Sequence, residues 1–433
     1  MNEYEWLELK REVQNKIDLS TSVSDSDLQQ EIEETVFHYA KQQYIGVKEK
    51  KALVERIFHS LRGLDILQPL MDDPHITEIM INSPREIFIE REGKVYQEKV
   101  LFENQQKLED IIQLIVGKVN RIVNESTPIV DARLEDGSRV HVVLPPIAIK
   151  GPTLTIRKFP QKPITMDQLI QWGSISKEAA LFLQSLVQAK FNIFIGGGTG
   201  SGKTTFLNVL SSFIPAEERV ITIEDSAELQ IQNIPNLVNL ETRNPNTEGK
   251  GGISIKDLIR ASLRMRPNRI VVGEVRGSEA LDMLQAMNTG HDGSLSTGHA
   301  NSTHDMLSRL ETMVLMGASL PVEVIRKQIS SAIDIMIHLS RLRDMTRRVT
   351  EISEVLGVED GEIKLNPLYV FEEQEERDSF GAIESSQNVH HSKLAQAESR
   401  PGKVVGELKP TGRVLQKDFK LKLAGVQNPL ISM

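Results

Sequence analysis

The chain has 433 residues and no cysteine, a formal net charge of -9 at pH 7, and 39% hydrophobic and 26% charged residues. This length predicts about three domains with sizeable cores, and the composition excludes a wholly disordered, collagen-like or membrane-embedded protein. The absence of cysteine excludes disulfides, thiol catalysis and thiolate metal sites, and it is typical of a reducing compartment. The acidic balance argues against a protein that coats nucleic acid over its whole surface.

Neither the N-terminus nor the apolar runs indicate export or membrane insertion. The first ten residues carry acidic side chains where a secretory signal requires a basic end and an apolar stretch. The longest unbroken apolar run, Ala179–Leu183, is far shorter than the roughly 20 residues of a membrane span. We therefore expect a cytoplasmic protein with no direct membrane span, whose membrane role goes through a partner.

The first 160 residues predict two segments of different character. Residues 1–63 are mostly polar, with apolar positions at helical spacing, which predicts a helical and partly mobile lead-in. Residues 64–160 predict a small α+β domain. Two runs of alternating residues turn at 92–93 and at 135–137, which indicates two β-hairpins, and the apolar residues between Leu108 and Ile122 fall on one face of a helix.

Residues 161–372 predict an α/β domain, and residues 373–433 predict a disordered linker and tail. Within the α/β domain, short β-rich runs are separated by stretches long enough for helices, which predicts a parallel sheet covered on both faces. The predicted strands are Asn192–Ile195, Val220–Ile223, Arg269–Val272, Ile333–Leu339, Val349–Leu356 and Leu368–Phe371. Within the tail, residues 404–423 have some amphipathic pattern, which is compatible with a short docking element.

The segment Gly197–Thr204 matches the phosphate-binding pattern G-x4-G-K-[ST]. It follows a predicted strand and precedes an apolar helix, the context in which backbone N–H groups and the helix dipole converge on phosphate. We expect Lys203 to bridge the β- and γ-phosphates and the Thr204 hydroxyl to be a ligand of Mg²⁺. ATP and Mg²⁺ are therefore the predicted cofactors. The predicted nucleotide-binding residues are Gly197, Gly198, Thr199, Gly200, Ser201, Gly202, Lys203, Thr204 and Thr205.

Three predicted strands run into polar residues, Glu224, Glu274 and His299. Because ligands bind at the carboxyl ends of the strands in such a sheet, we expect these side chains to surround the phosphates. We expect Glu274 to orient or deprotonate the attacking water and Glu224 to assist at Mg²⁺, although the two roles could be exchanged. His299 either senses the γ-phosphate or is a turn histidine satisfied by the backbone, and His291 is a second candidate. The predicted metal ligands are Thr204, Glu224 and Glu274.

Basic residues are concentrated at 256–276 and 341–348, and three arginines stand apart in the predicted N-terminal domain. Each run is compatible with a partner surface or with a solvated face. The first run has no interleaved aromatic residue, which argues against single-strand binding by base stacking. An arginine from a neighbouring domain or subunit can stabilise a transferring phosphoryl group, whereas most surface arginines do not act in this way. The three candidates are Arg133, Arg139 and Arg157.

Together, these motifs strongly resemble those of the secretion ATPase superfamily of type II and type IV systems, and they are most similar to the CpaF-type ATPases of Tad pilus assembly. The resemblance covers roughly residues 64–372. Some pilus and type II secretion relatives carry a tetracysteine zinc insertion, which a chain without cysteine cannot have, so the CpaF type is favoured. The matching segments are 77–82, 131–140, 154–159, 197–204, 222–225, 264–267, 273–276 and 297–300.

The resemblance implies a RecA-like P-loop ATPase domain preceded by a small α+β, PAS-like domain, with nucleotide held between the two. It also implies a homo-hexameric ring that acts on polytopic platform proteins and associates peripherally with the inner membrane. Glu274 would be the Walker B acid, Glu224 would lie in the family's Asp box and His299 in its His box. The basic positions that reach the γ-phosphate in the family correspond to Arg133, Arg139 and Arg157.

We therefore expect an ATP hydrolase that powers Tad-type pilus assembly or protein secretion through inner-membrane partners. Direct binding of nucleic acid is not expected under this interpretation. One alternative is a DNA-translocating, conjugation-type motor, whose hydrolysis DNA would stimulate with a steep salt dependence. A second alternative is a nucleotide-gated scaffold that binds ATP without turnover.

Overall fold

The computed structural model describes residues 3–17, 23–43, 45–91, 93–119, 121–159, 162–243, 245, 250–374 and 404–426. The chain divides into two compact units, Met1–Gln161 and Lys162–Met433. Among the described residues, no helix is both long enough and apolar enough to cross a membrane.

The first unit begins with three helices that share a small core of their own. They are α1 (Glu3–Lys16), α2 (Asp25–Gln42) and α3 (Val47–Arg62). The Ser24 side chain accepts a hydrogen bond from the N–H of Asp27 and so caps the start of α2. The apolar residues of α2 recur every four positions, which turns them to one face, where they pack against the other two helices. The buried members of this core are Leu9, Val13, Leu28, Ile32, Val36, Leu53 and Ile57.

After the short helix α4 (Gln68–Asp72), the first unit forms an antiparallel six-stranded sheet in the order β3-β2-β1-β6-β5-β4. The strands are β1 (Ile76–Ser83), β2 (Glu86–Arg91), β3 (Lys94–Gln97), β4 (Ile129–Arg133), β5 (Arg139–Val143) and β6 (Thr153–Arg157). Both predicted hairpins are confirmed, as β2–β3 and β4–β5. The helix α5 (Gln105–Lys118) packs its apolar face into the same core. This helix is shorter than predicted, and Ile122 lies beyond its end and is exposed.

The second unit is built on a nine-stranded sheet in the order β15-β14-β13-β12-β7-β11-β10-β8-β9. Its strands are β7 (Ile193–Gly197), β8 (Val220–Glu224), β9 (Leu237–Glu241), β10 (Arg269–Val272), β11 (Leu295–His299), β12 (Ile335–Arg341), β13 (Arg347–Glu359), β14 (Glu362–Glu373) and β15 (Gly406–Pro410). Strands β7 to β12 pair in parallel, and β13 to β15 extend the sheet in antiparallel pairs. The predicted parallel sheet is confirmed, although sequence reasoning did not identify β9.

Helices cover both faces of this sheet, which explains why the parallel strands are continuous apolar runs. The helices are α6 (Met166–Gln171), α7 (Lys177–Gln188), α8 (Lys203–Ser211), α9 (Ile255–Ser262), α10 (Glu279–Asn288), α11 (Thr303–Gly317), α12 (Val322–Ala332) and α13 (Phe419–Ala424). One apolar core lies under α7 and α8, and a second lies under α10, α11 and α12. The sheet is therefore packed between two layers of helices.

Residues 404–426 fall within the predicted disordered tail, yet they form β15 and α13 against the second unit. Strand β15 pairs with β14, and four apolar side chains of the segment, Val404, Leu408, Leu415 and Leu421, are buried. The backbone N–H groups of Gln416 and Lys417 donate to the buried carboxylate of Glu354. This order arises from pairing with residues 33 to 41 positions earlier in the chain, which a local composition pattern does not register.

Candidate functional site

The candidate site lies where four neighbouring parallel strands end. Strands β7, β11, β10 and β8 are consecutive in the sheet, so their carboxyl ends meet at one edge. The register pairs His299 directly with Gly197, the first residue of the phosphate-binding pattern. Glu274 follows β10 by two residues, and Glu224 is the last residue of β8. The topology thus brings Glu224, Glu274 and His299 to the edge of the sheet where the loop begins.

The phosphate-binding loop requires glycine for conformational and steric reasons. Gly200 and Gly202 have φ angles of +70° and +93°, in the left-handed region that favours glycine. A Cβ atom on Gly197 would lie 2.5 Å from the carbonyl oxygen of Leu339 and 2.6 Å from Ser201 Oγ. Helix α8 begins at Lys203, so its unpaired N–H groups and the positive end of its dipole face the loop.

Lys203, His299 and Glu274 form a continuous chain of contacts at the loop. The buried Lys203 ammonium donates to the carbonyl oxygens of Gly197 and Gly198, both at 3.0 Å, and lies 3.3 Å from His299 Nδ1. On the other side of the ring, His299 Nε2 lies 2.7 Å from Glu274 Oε1. The imidazole therefore connects the loop lysine to the carboxylate after β10.

The contacts of His299 define its protonation state. Burial is the main cause that lowers the pKa of His299; Glu274 opposes the shift, and Lys203 and Arg276 reinforce it. Because an ammonium group only donates hydrogen bonds, Nδ1 must accept from Lys203, and the ring proton is then on Nε2 and faces Glu274. Burial also lowers the pKa of Lys203, against the effect of Glu274. Burial and the contact with the Lys203 ammonium therefore both favour the neutral form of His299.

Glu274 is held from both sides, whereas Glu224 is turned toward the backbone. The second oxygen of Glu274 accepts from Arg276 Nη2 at 2.6 Å and from Nε at 2.9 Å. The buried Glu224 carboxylate accepts from the N–H groups of Glu228 at 2.9 Å and Leu229 at 3.1 Å, which fixes the chain after β8. The predicted pair of acids therefore occupies two different environments, only one of which includes the loop lysine and the histidine.

Gly273, the residue before Glu274, is required by the packing of Glu224. A Cβ atom at this position would lie 2.9 Å from Glu224 Cγ. An acidic residue, as in the Asp-Glu pair of many ATPases, would not fit beside the Glu224 side chain. The Gly-Glu sequence of this chain therefore has a steric cause.

The donor atoms present fit Mg²⁺ rather than a metal that needs many protein ligands. The described residues contain no group of three or more His, Asp or Glu side chains suited to hold a metal. Mg²⁺ usually binds one or two protein oxygens together with phosphates and water. The Thr204 hydroxyl, in the first turn of α8, and the Glu274 carboxylate supply such oxygens.

The second candidate histidine, His291, does not reach this site. It lies before β11, at the opposite edge of the sheet, where Nδ1 is 3.3 Å from the carbonyl oxygen of Ala286.

Residues 341–348, which we call the arginine hairpin, connect β12 to β13 and contact the phosphate-binding loop. Arg347 Nε donates to the carbonyl oxygen of Gly200 at 2.9 Å. Next to this contact is a cavity of about 230 Å³, whose lining includes Trp172, Phe206 and Met345. The sequence left this basic run ambiguous. The signal that would have placed it is the strand-end rule, because Arg341 ends β12, the parallel neighbour of β7.

Much of the basic run at 256–276 forms ion pairs with acidic side chains. Arg269 is fully buried and binds both carboxylate oxygens of Glu218, at 2.7 and 2.9 Å. Arg260 Nε lies 2.7 Å from Asp282 Oδ1, and Arg276 binds Glu274. The run therefore stabilises the fold and the site, and it does not form one continuous basic surface.

In the first unit, the three predicted arginines form one row. Arg133 ends β4, Arg139 begins β5 and Arg157 ends β6. The register pairs Arg133 with Arg139 and Arg139 with Arg157. Directly paired residues of adjacent strands project from the same face. The guanidinium of Arg133 lies over the ring of Phe159, at 5.7 Å from its centroid.

The fold and the site define an α/β protein with a phosphate-binding loop, a lysine and a histidine–carboxylate pair at the strand ends. Comparison with known proteins is consistent with this class. The family model described as "Type II/IV secretion system protein" matches residues 60–396, and the chain belongs to that family. Membership in this family of secretion-system ATPases indicates nucleotide binding, typically with a divalent metal.

The individual relatives carry different descriptions. A putative conjugal transfer protein of Mycobacterium tuberculosis (strain CDC 1551 / Oshkosh) is 33% identical over 328 residues, 74% of this chain and 92% of that protein. The type IV secretion system protein VirB11 of Brucella suis biovar 1 is 34% identical over 333 residues, 70% of this chain and 92% of the relative. The crystal structure of the VirB11 ATPase of Brucella suis, in complex with sulphate, has 31% identity and a TM-score of 0.36, and the match covers 66% of this chain and 95% of that one.

Proposed function

We propose that the chain is a CpaF-type motor subunit that hydrolyses ATP to power Tad-type pilus assembly or protein secretion through inner-membrane partners. The observation that carries this proposal is the chain of contacts from Lys203 through His299 to Glu274. It connects the group that binds the terminal phosphates to a carboxylate that can act on water. Family membership supports the activity in general, and the motif segments favour the CpaF type.

The proposed binding step uses groups that are already in position. The buried ammonium of Lys203 is held by the loop carbonyls of Gly197 and Gly198. The β- and γ-phosphates would offer stronger, charged acceptors to the same ammonium. The loop N–H groups and the start of α8 would bind the remaining phosphate oxygens. We further propose that the apolar cavity lined by Trp172 and Phe206 accepts the purine base.

The proposed catalytic step assigns the water to Glu274. Its carboxylate is oriented by His299 and Arg276, so it can hold a nucleophilic water beside the terminal phosphate. Glu224 has the structural contacts described above, which supports a role in fixing the loop after β8 rather than a direct one. Bound Mg²⁺ would neutralise charge on the phosphates and align them, and Thr204 and Glu274 are the residues that would hold it.

The remaining parts of the proposal concern the role of the first unit and the oligomeric assembly. We propose that the six-stranded sheet with α5 is the PAS-like domain, and that the row of Arg133, Arg139 and Arg157 stabilises charge on the transferring phosphoryl group. We also propose a homo-hexamer on the cytoplasmic face of the inner membrane, bound to polytopic platform proteins. Native mass spectrometry with Mg-ATP tests the ring: six subunits support it, and a monomer at all concentrations contradicts it.

Steady-state phosphate release tests the central activity. The parent chain should hydrolyse ATP, and Lys203→Ala should abolish turnover because the γ-phosphate loses its cation. A parent chain that binds ATP but releases no phosphate would instead support the nucleotide-gated scaffold.

The second candidate, a DNA-translocating motor, is favoured by one observation, the similarity to the putative conjugal transfer protein. The pairing of Arg269 and Arg260 with acids weighs against it, because the basic run does not present a continuous surface for phosphates. Hydrolysis stimulated many-fold by double-stranded DNA, with a steep salt dependence, would favour the DNA motor. Hydrolysis insensitive to DNA would favour the secretion or pilus motor.

A further inference from the structure

Residues 404–426, which we call the C-terminal segment, are built into the second unit by specific contacts. Strand β15 extends the sheet at β14, and the buried side chains of the segment pack on the core. The ammonium of Lys420 lies 2.7 Å from the carboxylate of Asp334. A Cβ atom on Gly406 would lie 2.6 Å from the carbonyl oxygen of Glu372, so the strand fits β14 only with glycine at this position. The buried apolar residues are Val404, Leu408, Leu415 and Leu421.

The first residues of this segment are bound by the arginine hairpin, which connects them to the nucleotide site. The N–H of Val404 donates to Asp344 Oδ2 at 2.9 Å. Arg348 Nη1 donates to the carbonyl oxygen of Gly406 at 2.8 Å, and Nη2 donates to that of Val404 at 3.1 Å. The adjacent Arg347 holds the carbonyl oxygen of Gly200 in the phosphate-binding loop. The arginine hairpin thus contacts both the C-terminal segment and the phosphate-binding loop.

The Arg347 contact restrains a peptide group of the phosphate-binding loop, whose N–H, that of Ser201, donates to the carbonyl oxygen of Gly198 at 3.4 Å. The carbonyl of Gly200 and the N–H of Ser201 belong to one planar peptide group and point in opposite directions. When Arg347 holds the oxygen, the N–H of Ser201 cannot rotate freely. A loop whose donors are oriented before the ligand arrives loses less conformational freedom on binding.

We propose that the C-terminal segment is a positioning element for the nucleotide site. Docked on β14, it holds the arginine hairpin where Arg347 restrains Gly200, and it thereby raises the affinity for nucleotide. Asp344 and Arg348 act as positioning residues, through Arg347 rather than on the nucleotide itself. This inference rests on the proposed ATP site. It gives a role in nucleotide binding to a part of the chain that lies beyond the nucleotide-binding motifs.

The test measures the dissociation constant for ADP in the full chain with Gly406→Val. The added side chain cannot fit against Glu372, so β15 should leave β14, which hydrogen exchange over residues 404–426 monitors. We expect about three- to tenfold weaker binding, roughly 0.7–1.4 kcal/mol, the net worth of one hydrogen bond. Glu407→Gln, an exposed change on the same strand, should bind like the parent. Unchanged affinity with an undocked segment overturns the inference.

A double-mutant cycle with Arg347→Ala separates positioning from general destabilisation. If the segment acts through Arg347, Gly406→Val should have little further effect on ADP binding in the Arg347→Ala background, whereas additive effects overturn the inference. Should Gly406→Val fail to fold, Leu408→Ala replaces it in the same cycle. A parent chain without affinity for ADP refutes the proposed function as well, while a parent that binds ADP with no effect of undocking refutes the positioning role alone.

Discussion

Replacement of Glu274 by glutamine should separate nucleotide binding from turnover. The two carboxylate oxygens of Glu274 face two basic groups: Oε2 accepts from Arg276, and Oε1 lies 2.7 Å from His299 Nε2. Glutamine has one oxygen and one NH₂ group, so it can accept from only one of them. Its NH₂ group then faces either the Arg276 guanidinium or the Nε2–H of His299.

The size of the effect of Glu274→Gln on turnover follows from these contacts. If the histidine adapts by moving its proton to Nδ1, that N–H meets the Lys203 ammonium, which lies 3.3 Å away. Either arrangement leaves one donor unsatisfied, at a cost of about 1–3 kcal/mol. The loss of a positioned general base lowers turnover by roughly 10²–10⁴-fold. ATP binding should change little, because the substitution leaves in place Lys203 and the loop N–H groups, which bind the phosphates in the proposed site.

The assay compares phosphate release at saturating ATP with equilibrium binding of a fluorescent ATP analogue. Glu217→Gln is a matched control, because this exposed glutamate precedes β8, at the opposite end of the parallel strands from the site, and should leave both quantities unchanged. A Glu274→Gln protein that hydrolyses ATP at the parental rate would remove Glu274 from the mechanism. A loss of binding as large as the loss of turnover would show that the residue acts on affinity instead.

Two further predictions concern stability. Gly273→Ala should lower the free energy of unfolding by about 1–3 kcal/mol, because its Cβ would lie 2.9 Å from Glu224 Cγ. Urea denaturation measures this loss. The loss of unfolding free energy should be smaller for the control Gly196→Ala, whose Cβ would have ordinary contacts at 3.6 Å. Burial lowers the pKa of His338, whose Nε2 lies 3.4 Å from the carbonyl oxygen of Ala300. Because the folded state then binds this proton less readily than the unfolded state, the stability contribution is complete above about pH 6.5 and declines as the pH falls toward the lowered pKa. Denaturation curves should therefore show a weaker pH dependence for His338→Gln, and an unchanged slope would refute the assignment.

The sequence could predict the parts of the site that depend on local pattern and sheet topology. The glycine-rich loop, its flanking strand and helix, and the placement of Glu274 and His299 at one edge all follow from motif and strand order. The orientation of Glu224 was not predictable, because its carboxylate binds backbone N–H groups of a loop whose course has no local signature. The contact of Arg347 with the loop joins residues 147 positions apart, which local periodicity does not encode.

The edges of the second sheet were the least predictable part of the fold. Strand β9 lies at one edge and is only half-buried, so it lacks the continuous apolar run that identified its neighbour β8. At the other edge, β15 follows a polar stretch and becomes a strand by pairing with β14. Both strands owe their order to partners distant in sequence. Tertiary pairing therefore overrides their weak local preference.

The most direct test of the account is calorimetric titration of the parent chain and of Lys203→Ala with ATP in the presence of Mg²⁺. We predict one saturable site per parent chain and at least roughly tenfold weaker binding for the variant, because a buried charged hydrogen bond to phosphate is worth about 1.5–3 kcal/mol. Equal affinity of the two proteins, or a parent chain that shows no binding, would contradict the claim that a triphosphate occupies the loop at Gly197–Thr204.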